Sequence, residues 1–423
     1  VYAAYSLLLA IGFVLAMPYY LWKGRASGKY LGTFRERMGA LPAALRNRGE
    51  RSIWIHAVSV GEVLAARTLV VPLKQRFPGR RVFLSTTTLT GNAVARKSAR
   101  DADGLFFAPF DWPGPVRRVL AALDPALLVL VETEIWPNLI HEARRRGTRV
   151  ALVNGRISQR SFARYVRVRG LLARVLAEVD LFLMQGEPHA RRILEMGAPP
   201  ERVRVLGNLK YEAPGNGRAP ERLAQLLRTE RERPVWVAGS TVEGEEEMVL
   251  RAFQHVRQRL PETGLIVAPR HPERFDSVPA LIESSGLHCV RRTALEPGGW
   301  KDGEVLLLDT LGELAQVYPL ATVVFVGGSL VPAGGHNILE AAVAGKAVIV
   351  GPHMENFQEI ADEFRSQHAL VQVGSAEELA PEVLRLLTDE HRRASLGEKA
   401  RGLIDRNRGA LARTVDALAG LAV

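Results

Sequence analysis

Charged side chains in this sequence collect just after apolar runs. Glu62 follows Ile53-Trp54-Ile55 through the stretch HAVSVGE, and Glu132 and Glu134 follow the fully apolar run 127–131. Lys210 stands in GNLKYE, which follows another short apolar run. In open α/β sheets, ligands bind at the carboxyl ends of strands, so these positions suit chemistry. A carboxylate placed there can accept a proton, and a second carboxylate or a cation can balance charge nearby. Each residue also has a plainer reading. Glu62 can complement a helix dipole, an effect of roughly 0.5 kcal/mol. Glu132 and Glu134 can belong to a structural salt bridge, and Lys210 can be an exposed linker lysine.

A second group lies in the C-terminal half. APRHPER (268–274) supplies Pro269, Arg270, His271 and Arg274, and DTLGEL (309–314) supplies Leu311, Gly312 and Glu313. GST (239–241) offers hydroxyls and a turn. The segment VFVGGSLVPAGGHNILEAAVAGKAVIVGP (324–352) carries two glycine pairs ahead of His336, Asn337, Ile338, Leu339 and Glu340. Glycines permit close backbone approach, and Asn337 is expected to cap a helix over 338–344. Free amides at such a helix start attract phosphate, and Glu340 is within reach of ribose hydroxyls. The alternative is an ordinary glycine-rich turn before a capped helix. Neither a P-loop nor G-x-G-x-x-G is present, which disfavours kinase and dehydrogenase readings. No H-E-x-x-H or other metal spacing and no G-x-S-x-G elbow occurs. The run DAD (101–103) reads as a solvated loop.

The elements around these residues alternate. Strands are expected over 53–57, 81–85, 127–131, 149–153, 181–184 and 203–206, with helices over 63–77 and 137–146 between them. The Gly/Pro-rich stretch 211–220 reads as a linker. A second series follows, with strands over 235–239, 264–268, 305–309, 322–326 and 347–350, and helices over 243–259, 313–318, 338–344 and 376–387. At 423 residues the chain is long for one core. The pattern predicts an α/β protein with two doubly wound, Rossmann-like domains facing an interdomain cleft. Their boundaries are set at 23–210 and 221–423, with the C-terminal helix expected to pack back on the first domain.

Cys289 is the sole cysteine, which excludes a disulfide framework, and a net charge of +11 points to an acidic partner. Residues 1–22 carry no charge, and as a helix they would be ~33 Å long, enough to cross a bilayer core. Tyr19, Tyr20 and Trp22 stand where an interfacial aromatic belt would be, and Lys23, Arg25 and Lys29 follow, leaving the remainder on the cytoplasmic side. Pro18 opens the alternative of a kinked or interfacial anchor. No zinc-finger spacing or RNP-like motif supports nucleic acid as the acidic partner.

HAVSVGE, ETEIWPNLI, GNLKYE, APRHPER, DTLGEL and GGHNILE occur in the order found in the 3-deoxy-D-manno-octulosonic acid (Kdo) transferases of lipopolysaccharide synthesis, which the chain resembles from the anchor nearly to the C-terminus. The resemblance implies a GT-B fold, CMP-Kdo as donor, an anionic lipid A precursor as acceptor, and a site on the cytoplasmic face of the inner membrane. It implies neither cofactor nor metal. Glu62 is then the general base, and Glu132 and Lys210 stabilise the transition state. Pro269, Arg270, Leu311, Gly312, Glu313, Asn337, Ile338, Leu339 and Glu340 match the CMP-binding segments. Ile338 replaces a proline frequent in the family, a change a helix start tolerates. At a helix start, Glu62 is expected to stay ionised, as a base must. The rival readings are another GT-B enzyme using a UDP-sugar, either transferase or epimerase, and a non-enzymatic membrane scaffold.

Overall fold

The structure, a computed structural model, describes residues 2–27, 31–211, 217–227 and 233–421. Two compact units are present: Val1–Glu212 with Asn407–Val423, and Ala213–Arg406. Residues 212–216, half of the expected linker, lie outside the described residues.

The first unit is built on a sheet of seven strands: β1 (Ser52–Ala57), β2 (Val82–Thr86), β3 (Gly104–Phe107), β4 (Pro125–Val131), β5 (Arg149–Gly155), β6 (Leu181–Met184) and β7 (Val203–Val205). They lie in the order β3-β2-β1-β4-β5-β6-β7, with every pairing parallel. Helices cover both faces, so the central strands are buried on both sides and mostly apolar. Alternate residues divide between two cores. Ile53, Ile55 and Ala57 pack with Val63 and Leu69 of the helix Val60–Arg76 and with Val415 and Leu418 of the helix Ala410–Ala419. Trp54 faces the other way, against Phe83, Phe106 and Leu128. The strand order reverses between β1 and β4, and that switch point is where a doubly wound sheet opens its crevice. Glu62 follows one of these strands and Glu132 ends the other.

The second unit repeats the plan with β8 (Val235–Thr241), β9 (Gly264–Pro269), β10 (Cys289–Arg291), β11 (Val305–Leu307), β12 (Val323–Val326), β13 (Ala347–Val350) and β14 (Val371–Gln372). Their order is β10-β11-β9-β8-β12-β13-β14, again parallel in every pairing, with the reversal between β8 and β12. Three strands, β3, β10 and β14, add to those expected from sequence. All are short and lie at sheet edges, where a period-2 signal has little room.

The N-terminal helix, Tyr2–Ser27, lies against the first unit by one face. The Tyr2 ring stacks on His141 at 3.8 Å, and its hydroxyl donates to Glu178 at 2.7 Å. Asn138 donates to Ser6 at 3.0 Å, and Phe13 meets Trp112 edge-on. Leu7, Leu8, Ile11 and Leu15 are exposed on the helix's other side. No helix among the described residues is long and apolar enough to cross a membrane. The expected belt and basic run at Pro18, Tyr19, Tyr20, Trp22, Lys23, Arg25 and Lys29 lie outside the described side chains. Asp103, expected in a solvated loop, instead pairs with Lys74 at 2.8 Å and accepts the Val82 N–H at 2.8 Å, pinning the start of β2.

Ser85 on β2 joins sheet and site. Its hydroxyl accepts from Trp54 Nε1 at 2.8 Å and contacts His56 Nδ1 at 2.9 Å, with all three residues fully buried. Ser85→Ala strands the indole N–H, so the first unit is expected to lose about 1–3 kcal/mol, read as a lower urea midpoint.

Candidate active site

The first-unit site begins with a capped helix. Ser59 is the N-cap, its hydroxyl donates to Glu62 Oε1 at 2.7 Å, and the Val58 N–H donates to Oε2 at 2.7 Å. The arrangement is a variant of the reciprocal capping box. The plain reading of Glu62 therefore holds, since the carboxylate caps the helix, and its four acceptor positions leave capacity for another proton donor.

Glu132 sits where β4 ends. Its N–H completes the ladder to Val153 O at 2.8 Å, and its φ of 62° turns the backbone into the left-handed region. For a residue with a long side chain that conformation is strained, a feature concentrated at functional sites. The Glu132 carboxylate meets Lys210 Nζ at 2.6 Å. Lys210 is no exposed linker residue: its side chain is only 9% accessible. Asparagines fix the turn Leu209–Tyr211 that carries it. Asn154, at the end of β5, accepts the Leu209 N–H at 2.9 Å, Asn208 accepts the Lys210 N–H at 3.0 Å, and Asn407 accepts the Asn208 N–H at 2.7 Å. The motifs NGRIS and GNLKYE thus meet through their asparagines. A methyl on Gly61 would stand 3.4 Å from Lys210 Nζ, which brings the lysine beside the first turn of the Glu62 helix.

Glu134 completes the group. Trp136 Nε1 donates to it at 2.7 Å, and His56 meets the Trp136 ring edge-on at 4.9 Å. Burial pushes the Glu134 carboxyl up and drives the His56 imidazole down to about 3, so this histidine is neutral. Glu62 is pushed up to about 7, first by burial and then by the Glu134 charge, against the opposing hydrogen bonds from Val58 and Ser59. The expectation that a helix start keeps it fully ionised is corrected: desolvation outweighs the cap and the dipole. A carboxyl titrating there can take a proton from a hydroxyl near neutral pH.

In the second unit, Pro269 is buried at the end of β9 and Arg270 is exposed, with its N–H donating to Thr241 O at 2.8 Å. The Arg270 charge acts on both His336 and Glu340, so the 269–271 and 336–340 segments are neighbours. His336 is held down to about 4 by burial, then by Arg270 and His271. Burial raises Glu340, while an Asn337 hydrogen bond at 3.4 Å and Arg270 oppose it. The expected helix at 338–344 is only Leu339–Val343, with Ile338 rather than Asn337 at its cap position. Asn337 still serves the turn, accepting the Leu339 N–H at 3.1 Å. Ile338 and Leu339 are buried and offer their backbone rather than their side chains.

Leu311 is 74% exposed and Gly312 has φ 81°, a turn open to solvent. Glu313 is engaged internally, paired with Arg292 at 3.0 Å and accepting the Thr310 hydroxyl at 2.7 Å. A cavity of about 650 Å³ lies beside the β8 turn, lined by His271, Arg274, Ser277, Val331 and Pro332 among others. Among the described residues, no group of three or more His, Cys, Asp or Glu is arranged to hold a metal.

Residues 32–213 match the family described as 3-deoxy-D-manno-octulosonic-acid transferase (kdotransferase), and residues 245–403 match glycosyl transferases group 1. A 3-deoxy-D-manno-octulosonic acid transferase of Haemophilus influenzae is 35% identical over 371 residues, 87% of this chain and 86% of its own length. The chain belongs to the Kdo transferase family. The Kdo transferase of Bordetella pertussis is 36% identical over 411 residues, covering 94% of each chain. The solved structure of MurG from Acinetobacter baumannii, 12% identical, aligns over 87% of this chain and 98% of its own with a TM-score of 0.52. That likeness fits two parallel seven-stranded, Rossmann-like sheets in a GT-B fold.

A reaction that uses Glu62 as its base is expected to lose about ten-fold in kcat/KM per pH unit below about 7, where that carboxyl is protonated. Glu134→Gln removes the neighbouring charge and moves that limb to lower pH, measured as a pH–rate profile. Stability has the opposite sense. Glu62 is raised in the fold, so its stabilising contribution is full below the ordinary carboxylate range and is lost as pH rises through about 7.

Proposed function

We propose that this enzyme transfers Kdo from CMP-Kdo to an anionic lipid A precursor in lipopolysaccharide assembly, inverting the anomeric centre in one displacement. Glu62 takes the proton from the acceptor hydroxyl as its oxygen attacks the anomeric carbon. The bond from that carbon to the phosphate oxygen breaks, and CMP leaves with the electron pair. The transition state has oxocarbenium character, as in other glycosyl chemistry. Glu132 and Lys210 stabilise the charge that develops around the reacting centre. The first unit handles the acceptor and the second the nucleotide.

The observation that carries this reading is Glu62 itself: buried, titrating near 7, and grouped with the Glu132–Lys210 pair at the β1/β4 switch point. On the donor side, Arg270 supplies positive charge for the phosphate beside Asn337 and Glu340. Pro269, Leu311–Glu313 and Ile338–Leu339 contribute turns and backbone groups to the nucleotide. The names of the relatives support the sugar being transferred.

We assign the N-terminal helix to the cytoplasmic surface of the inner membrane. Its docked face leaves Leu7, Leu8, Ile11 and Leu15 outward, an apolar stripe suited to lying in a lipid interface. The net charge of +11 favours anionic headgroups and a phosphorylated acceptor.

The test is turnover of the detergent-solubilised protein with CMP-Kdo generated in place and a tetraacylated lipid A precursor, with products read by mass spectrometry. Mass increments of Kdo are expected. Transfer from a parallel UDP-sugar mixture, with none from CMP-Kdo, would overturn the donor assignment. Glu62→Gln is expected to lower kcat by about 10²–10⁴-fold with little change in either KM, the signature of a lost general base. Leu8→Glu combined with Leu15→Glu should abolish co-sedimentation with anionic vesicles while preserving turnover of detergent-dispersed acceptor.

A further inference from the structure

The helix Glu245–Arg259 opens with three consecutive glutamates. At a helix start such a run reads as solvated dipole partners. Yet Glu245 and Glu246 are 0% accessible, and only Glu247 is exposed. The Glu245 carboxylate accepts the N–H groups of Gly328 at 2.6 Å, Ser329 at 2.8 Å and Leu330 at 2.7 Å, with the Val242 N–H at 3.2 Å. Successive amides converging on one anion are how a glycine-rich loop beyond a Rossmann strand cradles a phosphate. Here the protein's own carboxylate fills the cradle. Gly327 is fitted to it, since a Cβ there would lie 2.8 Å from Glu245 Oε2.

Glu246 points elsewhere, because consecutive helical residues project about 100° apart. It accepts the Thr241 hydroxyl at 3.2 Å and the Arg274 guanidinium at 3.1 and 3.3 Å. The topology explains the division. β8, which feeds this helix, lies between β9 and β12, so one helical turn reaches the loops after both neighbours. Through Glu246 and Thr241, whose carbonyl accepts the Arg270 N–H at 2.8 Å, the segment 270–274 is held near both ends. Through Glu245 the constraint passes to Gly328, whose carbonyl accepts the Gly335 N–H at 2.7 Å, and on to the adjoining His336 and Asn337. The His336 ring lies against Gly328, where a Cβ would stand 2.7 Å from it.

We propose that Glu245 and Glu246 are positioning residues for the donor nucleotide, a two-armed clamp that sets the loops bearing Arg270 and Asn337. The proposal rests on the reading of those two residues as donor contacts. It also moves the donor phosphate away from the amides of 328–330, which Glu245 already occupies.

The test joins backbone hydrogen exchange of the full chain with steady-state kinetics in CMP-Kdo and in lipid acceptor. In Glu245→Gln, amides 328–330 are expected to exchange at least about ten-fold faster while β8 and β12 stay protected. KM for CMP-Kdo is expected to rise about ten-fold, with kcat and acceptor KM within about two-fold, as for a lost charge-assisted hydrogen bond. Added formate should restore donor affinity in Glu245→Ala by refilling the cradle. Should the Glu245 variants fail to fold, Glu246→Gln carries the same test through donor KM and exchange at 270–274. Donor and acceptor KM rising together, or unchanged exchange with unchanged donor KM, overturns the clamp. Arg270→Ala reports on the donor reading separately. If it leaves donor KM unchanged, that reading fails; if it raises KM while the clamp variants do not, the clamp alone fails.

Discussion

The first unit is organised around a concentration of negative charge that the fold keeps away from water. Glu62, Glu132 and Glu134 approach one another beside a paired lysine, and burial together with repulsion pushes the Glu62 carboxyl up to about 7. Such a cluster persists only because its members are held by groups that cannot yield. The cap at Ser59 follows β1, and the left-handed backbone of Glu132 and the indole bond to Glu134 lie in the loop after the neighbouring β4. The sheet's parallel core is what makes a poised carboxyl affordable in free energy.

The second unit answers the same topological problem in the opposite sense. Where its strand order reverses, backbone amides rather than carboxylates are in excess, and a buried glutamate neutralises them from within. One crevice is thus tuned by crowding like charges and the other by satisfying dipoles. A family that inherits two copies of one architecture can give each copy separate chemistry, because the strand ends specify little beyond position.

The parts legible in the sequence were those with local signals. Apolar runs marked the central strands to within a residue or two, and Leu181–Met184 and Ala347–Val350 matched the expected bounds. The charged residues after those runs followed from the general placement of ligand sites in α/β sheets. Edge strands such as Val371–Gln372 were too short to register. The titration of Glu62 depends on Glu134, which arrives from another strand, so no local window holds that information. Asn154, noticed only as part of a loop motif, takes its meaning from Leu209, brought to it by the fold. Glu245 was the hardest to see, because an acidic helix start looks the same in sequence whether it faces water or a loop of amides.

The bond from Asn208 to Asn407 crosses 199 positions of sequence and stays within the first unit. The turn that carries Lys210 therefore depends on a residue made long after it. At about 5–20 residues per second of synthesis, Lys210 precedes that asparagine by roughly 10–40 s. Until then the turn has its Asn154 and Asn208 bonds but lacks the one to Asn407. The return of the chain thus ties the turn of Lys210 to a segment made only after the intervening second unit.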